Sequence, residues 1–116
     1  MNLIDTVGNT PLLKFPLEGG TIWGKAEFVN PGGSVKDRPV AYILNQALCD
    51  GTLKKGDTII EATSGNMGIS LSMFCANMGF NCIIVMPSNM STERKVMMKS
   101  FGAKLIEVDA GDFDGA

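Results

Sequence analysis

Thr58-Ile59-Ile60-Glu61-Ala62-Thr63-Ser64-Gly65-Asn66-Met67-Gly68 decides how the rest of the chain is read. A short β-rich run, Thr58–Glu61, gives way almost at once to a helical pattern over Asn66–Met78. That helix is apolar on most sides, and Gly79 ends it. A buried strand, Cys82–Met86, follows and stops at Pro87. Ser91 is a good N-cap, and Glu93 in the first turn suits the helix dipole. Met90, Arg94, Met97, Met98 and Phe101 share one face of this next helix, and Gly102 ends it. Lys104–Val108 reads as a further strand. Strand, helix, strand, helix, strand at this spacing predicts βαβ units, a parallel sheet and right-handed crossovers, hence an α/β fold.

Toward the N-terminus the pattern is less regular. Residues 1–37 are rich in Gly, Pro and Asn, with short strands expected at Leu12–Phe15 and Thr21–Glu27 and a loop from Asn30 to Gly33. From Ser34 to Asp50 the period is helical: Val40, Ile43, Leu44, Ala47 and Leu48 form one apolar face. Pro39 is tolerated in the first turn, and Gly51 supplies the stop. The division expected is 1–37 as N-terminal strands with a lysine-bearing loop, and 38–116 as an incomplete α/β unit. Asp109–Ala116 reads as a loop. A parallel sheet is normally covered by helices on both faces, and another helix is due where the chain stops. A fragment of a longer protein is therefore expected.

Composition narrows the function classes. The chain has 116 residues, a formal charge of −2, 45% hydrophobic and 19% charged residues, the last against a usual share of about 25%. That argues against disorder and gives no basic footprint for nucleic acid. There is no histidine, which removes Ser-His-Asp and Cys-His nucleophile pairs and His-ligated metal sites. Cys49, Cys75 and Cys82 contain no C-x-x-C and leave an odd count, so reduced structural thiols are expected and no metal site. The N-terminus lacks a basic and apolar leader, and the longest aliphatic run, Ile83–Met86, is far too short to span a bilayer. A cytoplasmic protein is expected. The eight methionines could form an adaptable binding face, but Met73, Met78, Met97 and Met98 fall at core-like spacing and are read as packing.

Two stretches could carry chemistry. Asn30-Pro31-Gly32-Gly33-Ser34-Val35-Lys36-Asp37-Arg38 places a lysine in the first turn of the predicted helix. The dipole there favours anions and so lowers the cost of a neutral amine, the form that Schiff-base chemistry with a carbonyl cofactor needs. Taken alone, such a lysine also reads as a solvated surface side chain. Glu61–Gly68 lies at the carboxyl end of a parallel strand, where open sheets bind ligands. Exposed N–H groups with Thr63, Ser64 and Asn66 can hold a carboxylate or phosphate. Taken alone, this is equally an ordinary N-cap with glycines for tight packing. Neither G-x-G-x-x-G nor G-x-x-x-x-G-K-[ST] occurs, which disfavours a nucleotide-binding domain.

Taken together, the motifs carry a resemblance. Gly8-Asn9-Thr10-Pro11-Leu12, the Asn30–Arg38 run, Gly56-Asp57-Thr58-Ile59-Ile60-Glu61, Thr63-Ser64-Gly65-Asn66, Met86-Pro87 with Met90-Ser91 and Glu93-Arg94, and Gly102-Ala103 occur in that order. This set resembles the cysteine synthases (O-acetylserine sulfhydrylases), fold-type II pyridoxal-phosphate enzymes, with cystathionine β-synthases as close relatives. The resemblance runs the length of the chain but corresponds to well under half of a usual family member. It implies the parallel-sheet, three-layer small domain of the tryptophan synthase β-like fold, plus short strands of the large domain. It implies pyridoxal 5'-phosphate as cofactor, an amino-acid substrate, and a homodimer in the full-length form.

The same resemblance implies roles. Lys36 would carry the cofactor as a Schiff base and later act as base for the substrate α-proton. Asn66 would hydrogen-bond the cofactor ring hydroxyl. Thr63, Ser64, Gly65, Asn66 and Met67 would line the substrate carboxylate site. The reaction implied is β-replacement, giving L-cysteine from O-acetylserine and sulfide. Met67 stands where the family usually has threonine, which with Arg38-Pro39 points weakly to relatives that use an amine nucleophile; cystathionine- and O-phosphoserine-type reactions are further alternatives. Ala62 leans toward the B-type cysteine synthases. The family's Gly/Thr-rich phosphate loop lies downstream of the matched region, so the isolated chain is expected to be weakly active or inactive. A non-catalytic truncated paralogue or interaction module is the remaining alternative.

Overall fold

The computed structural model describes residues 1–111. Asp109–Gly111 carry no helix or strand, and the rest of the predicted terminal loop lies outside the described residues. The elements are β1 (Leu12–Leu17), β2 (Gly20–Lys25), α1 (Asp37–Cys49), β3 (Thr58–Ala62), α2 (Asn66–Met78), β4 (Asn81–Pro87), α3 (Thr92–Ser100) and β5 (Lys104–Val108), with 3-10 turns at Leu3–Thr6 and Glu27–Val29. β1 and β2 pair as an antiparallel hairpin from Leu12↔Lys25 to Leu17↔Gly20. β3, β4 and β5 form a parallel sheet in that order, with Ile60 beside Ile83 and Val85 beside Ile106.

Both crossovers step the same way along the sheet. Right-handed connections therefore put α2 and α3 on one face. Side chains alternate along β4, so Cys82, Ile84 and Met86 point into the core with Phe74, Met98, Leu71 and Met73. The opposite face carries Ile60 and Ile106, which are exposed. No described helix covers that face. α1 packs behind α2 through Val40, Ala41 and Leu44. Leu3, Ile4 and Val7 also pack against this core, so the first turn of the chain is tied to the α/β unit.

Several boundaries differ from the sequence reading. The second strand stops at Lys25, because Glu27 turns inward to bind Arg38 instead of continuing the ladder. The first helix starts at Asp37; Ser34, Val35 and Lys36 form the turn before it, with Lys36 at the N-cap. Ile43 and Leu48 are exposed, because only the Val40–Ala41–Leu44 strip meets α2. On α3 only Met98 is buried; Met97 and Phe101 face outward from a short helix pressed on one side alone. Cys75 and Cys82 are buried, but Cys49 ends α1 on its outer side and is exposed. No described helix is long and apolar enough to cross a membrane.

Gly68 fixes how closely α2 approaches the site. A Cβ there would stand 2.8 Å from both Met98 Sδ and Thr63 Cγ2, and 3.3 Å from Ile84 Cγ2. Only a glycine lets the start of α2 sit against α3 and the loop after β3.

Candidate active site

The lysine loop is held from both ends. Upstream, Glu27 is its anchor: Arg38 donates Nε to Glu27 Oε2 at 2.8 Å and Nη2 to Oε1 at 2.9 Å. Thr10 Oγ1 donates to the same Oε1 at 2.7 Å, and Asn30 Nδ2 to Oε2 at 2.8 Å. The Arg38 hydrogen bonds, with those from Thr10 and Asn30, hold the Glu27 carboxyl down at about 2. Asn30 is buried and closes the loop by accepting from the Gly8 N–H at 2.9 Å.

Downstream, Asp37 is completely buried beside Lys36. Its Oδ2 accepts from the Gly32 N–H at 2.5 Å, and its Oδ1 accepts from the Ser70 hydroxyl of α2. A buried carboxylate is tolerable only when so paired. Lys36 itself is exposed, with its N–H on Ser34 Oγ at 3.2 Å. Its Nζ has no hydrogen bond or ion pair among the described residues.

The second half of the site is the turn after β3. The Thr63 N–H donates to Val85 O at 2.9 Å, which ties the turn to β4. The Gly65 N–H donates to Thr63 Oγ1 at 3.2 Å. No side chain caps α2. The Asn66 and Met67 N–H groups therefore have no protein partner among the described residues, unlike those of an ordinary capped helix. An anion would satisfy them.

Both halves open on one cleft of about 540 Å³, lined by Lys36, Ala62, Thr63, Ser64, Gly65, Asn66, Met67, Val85, Pro87 and Arg94. That volume lies in the usual range for small-molecule sites. Every candidate residue from the sequence faces this space. The sequence pattern alone does not mark Val85, Pro87 or Arg94 as site residues, yet they line it too. Arg94 could have been found only from its place in the first turn of the helix after β4. No cluster of three His, Cys, Asp or Glu side chains able to hold a metal occurs among the described residues.

This geometry fits a pyridoxal-type cofactor: an unpaired lysine amine, an asparagine side chain and an anion-ready turn share one cleft, and no acidic side chain lines it.

Comparison with known proteins agrees. A model of the pyridoxal-phosphate dependent enzyme family matches residues 3–116. Cysteine synthase B of Salmonella typhimurium is 48% identical over 113 residues, covering 93% of this chain and 37% of that protein. Among solved structures, a cysteine synthase from Entamoeba histolytica superposes with a TM-score of 0.89 at 44% identity, covering 99% of this chain and 37% of that one. An O-acetylserine dependent cystathionine beta-synthase from Helicobacter pylori gives a TM-score of 0.90 at 34% identity, over 99% of this chain and 40% of that one. The chain thus spans little more than a third of these relatives. Because the family model extends over nearly all of its sequence, the chain belongs to the pyridoxal-phosphate dependent enzyme family.

Proposed function

We propose that this chain carries the lysine and carboxylate-binding half of a cysteine synthase site, which makes L-cysteine from O-acetylserine and sulfide. The observation that carries the reading is that Lys36 and the Thr63–Met67 turn, distant in sequence, line one cleft. Relatives of the cysteine synthase B type, at 48% identity, give the choice of reaction its support.

In this reading Lys36 Nζ would hold the cofactor through its aldehyde, and the Asn66 side-chain amide would hydrogen-bond the ring hydroxyl. When bound, pyridoxal phosphate withdraws the electron pair left at the substrate α-carbon and so eases departure of the β-substituent. Thr63, Ser64, Gly65, Asn66 and Met67 hold the substrate carboxylate, with the open N–H groups at the start of α2 as donors. Once the substrate amine had displaced it from the cofactor, Lys36 Nζ would be a free amine able to take the α-proton and return it when sulfide has replaced acetate at the β-carbon, its loop kept in place by Asp37 and Glu27.

A second reading, β-replacement with an amine or thiol nucleophile, draws on Met67. Its apolar side chain lies on the cleft wall and packs against the core.

The test is a titration of pyridoxal phosphate followed by visible absorption, on the wild-type chain and on Lys36→Ala. A saturable change present only in the wild type supports the reading. Identical, non-saturating behaviour in both would sink it. Offering O-acetyl-L-serine with sulfide, a thiol or an amine then separates the two reactions by product.

A further inference from the structure

Arg94 sits on the cleft wall, outside both the lysine loop and the Thr63–Met67 turn. It lies in the first turn of α3, where its N–H is capped by Ser91 Oγ at 3.4 Å. The side chain reaches back to the turn before α2. Its Cζ and Nη1 lie 3.3 Å from where a Cβ on Gly65 would stand. The guanidinium is therefore laid against the Gly65 backbone, an approach that a side chain at this position would push aside.

Its charge is unanswered. Arg38 is paired with Glu27, and Lys95 with Glu107. The Arg94 guanidinium has no hydrogen bond or ion pair among the described residues. No residue lining the cleft is acidic, and two, Lys36 and Arg94, are cationic. A half-buried arginine with a fixed plane and all its donors free matches a planar carboxylate, which it can take by two parallel hydrogen bonds. A lysine offers only a point charge.

We infer that Arg94 is a substrate-binding, specificity-determining residue whose guanidinium takes the carboxylate of the amino-acid substrate at the Thr63–Met67 turn. The inference rests on the reading of that turn as the carboxylate site. With the carboxylate charge answered by Arg94, the Lys36 amine is left free for chemistry. Ligands lacking the carboxylate are then rejected, because they leave the guanidinium unpaired in the cleft.

The test uses the full chain, isotope-labelled, with the amide signals of Ser64 to Met67 followed by NMR. O-acetyl-L-serine is titrated against O-acetylethanolamine, which lacks only the carboxylate. In Arg94→Gln, O-acetyl-L-serine should bind roughly ten- to a hundredfold more weakly, the loss of a charge-assisted hydrogen-bonded pair. Arg94→Lys should recover part of that loss, and O-acetylethanolamine should bind equally weakly to all forms. If Arg94→Gln fails to fold, Arg94→Lys carries the test: it should bind O-acetyl-L-serine more weakly than the wild type with O-acetylethanolamine binding unchanged, and wild-type binding by it overturns the role of the guanidinium. Arg94→Gln binding O-acetyl-L-serine as the wild type does, with the wild-type turn still responding, overturns the role of Arg94 and leaves the carboxylate site standing. No response of the wild-type turn to O-acetyl-L-serine overturns both.

Discussion

The Ser70 hydroxyl, in the middle of α2, donates to the carboxylate of Asp37, the residue next to Lys36. Both side chains are fully buried. One hydrogen bond thus joins the lysine loop to the helix whose start forms the other half of the cleft. The Gly32 N–H on the remaining carboxylate oxygen closes the loop around it.

Removing Asp37 should therefore do more than a typical core polar change. Asp37→Ala leaves the Gly32 N–H and the Ser70 hydroxyl without an acceptor, at a cost on the order of 3 kcal/mol. Ser70→Ala should cost about 1–2 kcal/mol. Urea midpoints at constant slope measure both. An Asp37→Ala protein as stable as the wild type would show that the carboxylate does not hold the loop.

Acid should loosen the upstream anchor. The Glu27 carboxyl lies at about 2 when folded, against an ordinary 4.5, because Arg38, Thr10 and Asn30 hydrogen-bond its charged form. A depressed carboxylate contributes stability that is fully present above the ordinary value and is lost as pH falls through the folded one. The wild type should be more stable than Glu27→Gln above pH 4.5, and the gap should close between 4.5 and 2. A gap constant across that window, in paired urea titrations, would contradict the Arg38–Glu27 assignment.

Gly68→Ala should strain the junction of α2, α3 and the Thr63 turn. Its Cβ would meet Met98 Sδ and Thr63 Cγ2 at 2.8 Å, and overpacking of this kind costs about 1–3 kcal/mol. The amide signals of the Thr63 turn should move as well. A substitution neutral in stability and spectrum would mean the approach is looser than described.

The cysteines should separate by reactivity. Cys49 is exposed, whereas Cys75 and Cys82 are buried. The hydrogen bond with Cys82, together with burial, pushes the Cys75 thiol up, away from the reactive thiolate. Brief iodoacetamide treatment of the native chain should add one label, at Cys49, and denaturant should expose the other two. Equal native labelling of Cys75 would contradict the core packing.

Much of this was legible in the chain itself, for physical reasons. α2 and β5 fall on the residues that the pattern marks, because Gly79 and Gly102 are strong local punctuation; β4 runs one residue further than the pattern marks at each end, since Pro87 still pairs beside Val108. The Thr63–Met67 turn was legible because a strand running into a helix puts its loop at the ligand end of a parallel sheet. Asp37 and Arg94 were not. Nothing local says that an aspartate after a lysine will be buried, since its partner Ser70 lies on another element. Arg94 reads as an ordinary first-turn residue until α2 is folded beside it. The apolar stripe of α1 also overstated its core, because its width reports hydrophobicity and only the contact with α2 decides burial.

The most direct test of the account is to trap the lysine. The chain is incubated with pyridoxal phosphate, reduced with borohydride, and the adduct mapped by peptide mass, with Lys36→Ala in parallel. The account predicts one dominant adduct, at Lys36, which disappears in the variant. Adducts scattered over the chain's lysines, or none at all, would contradict the assignment of this cleft as a cofactor site.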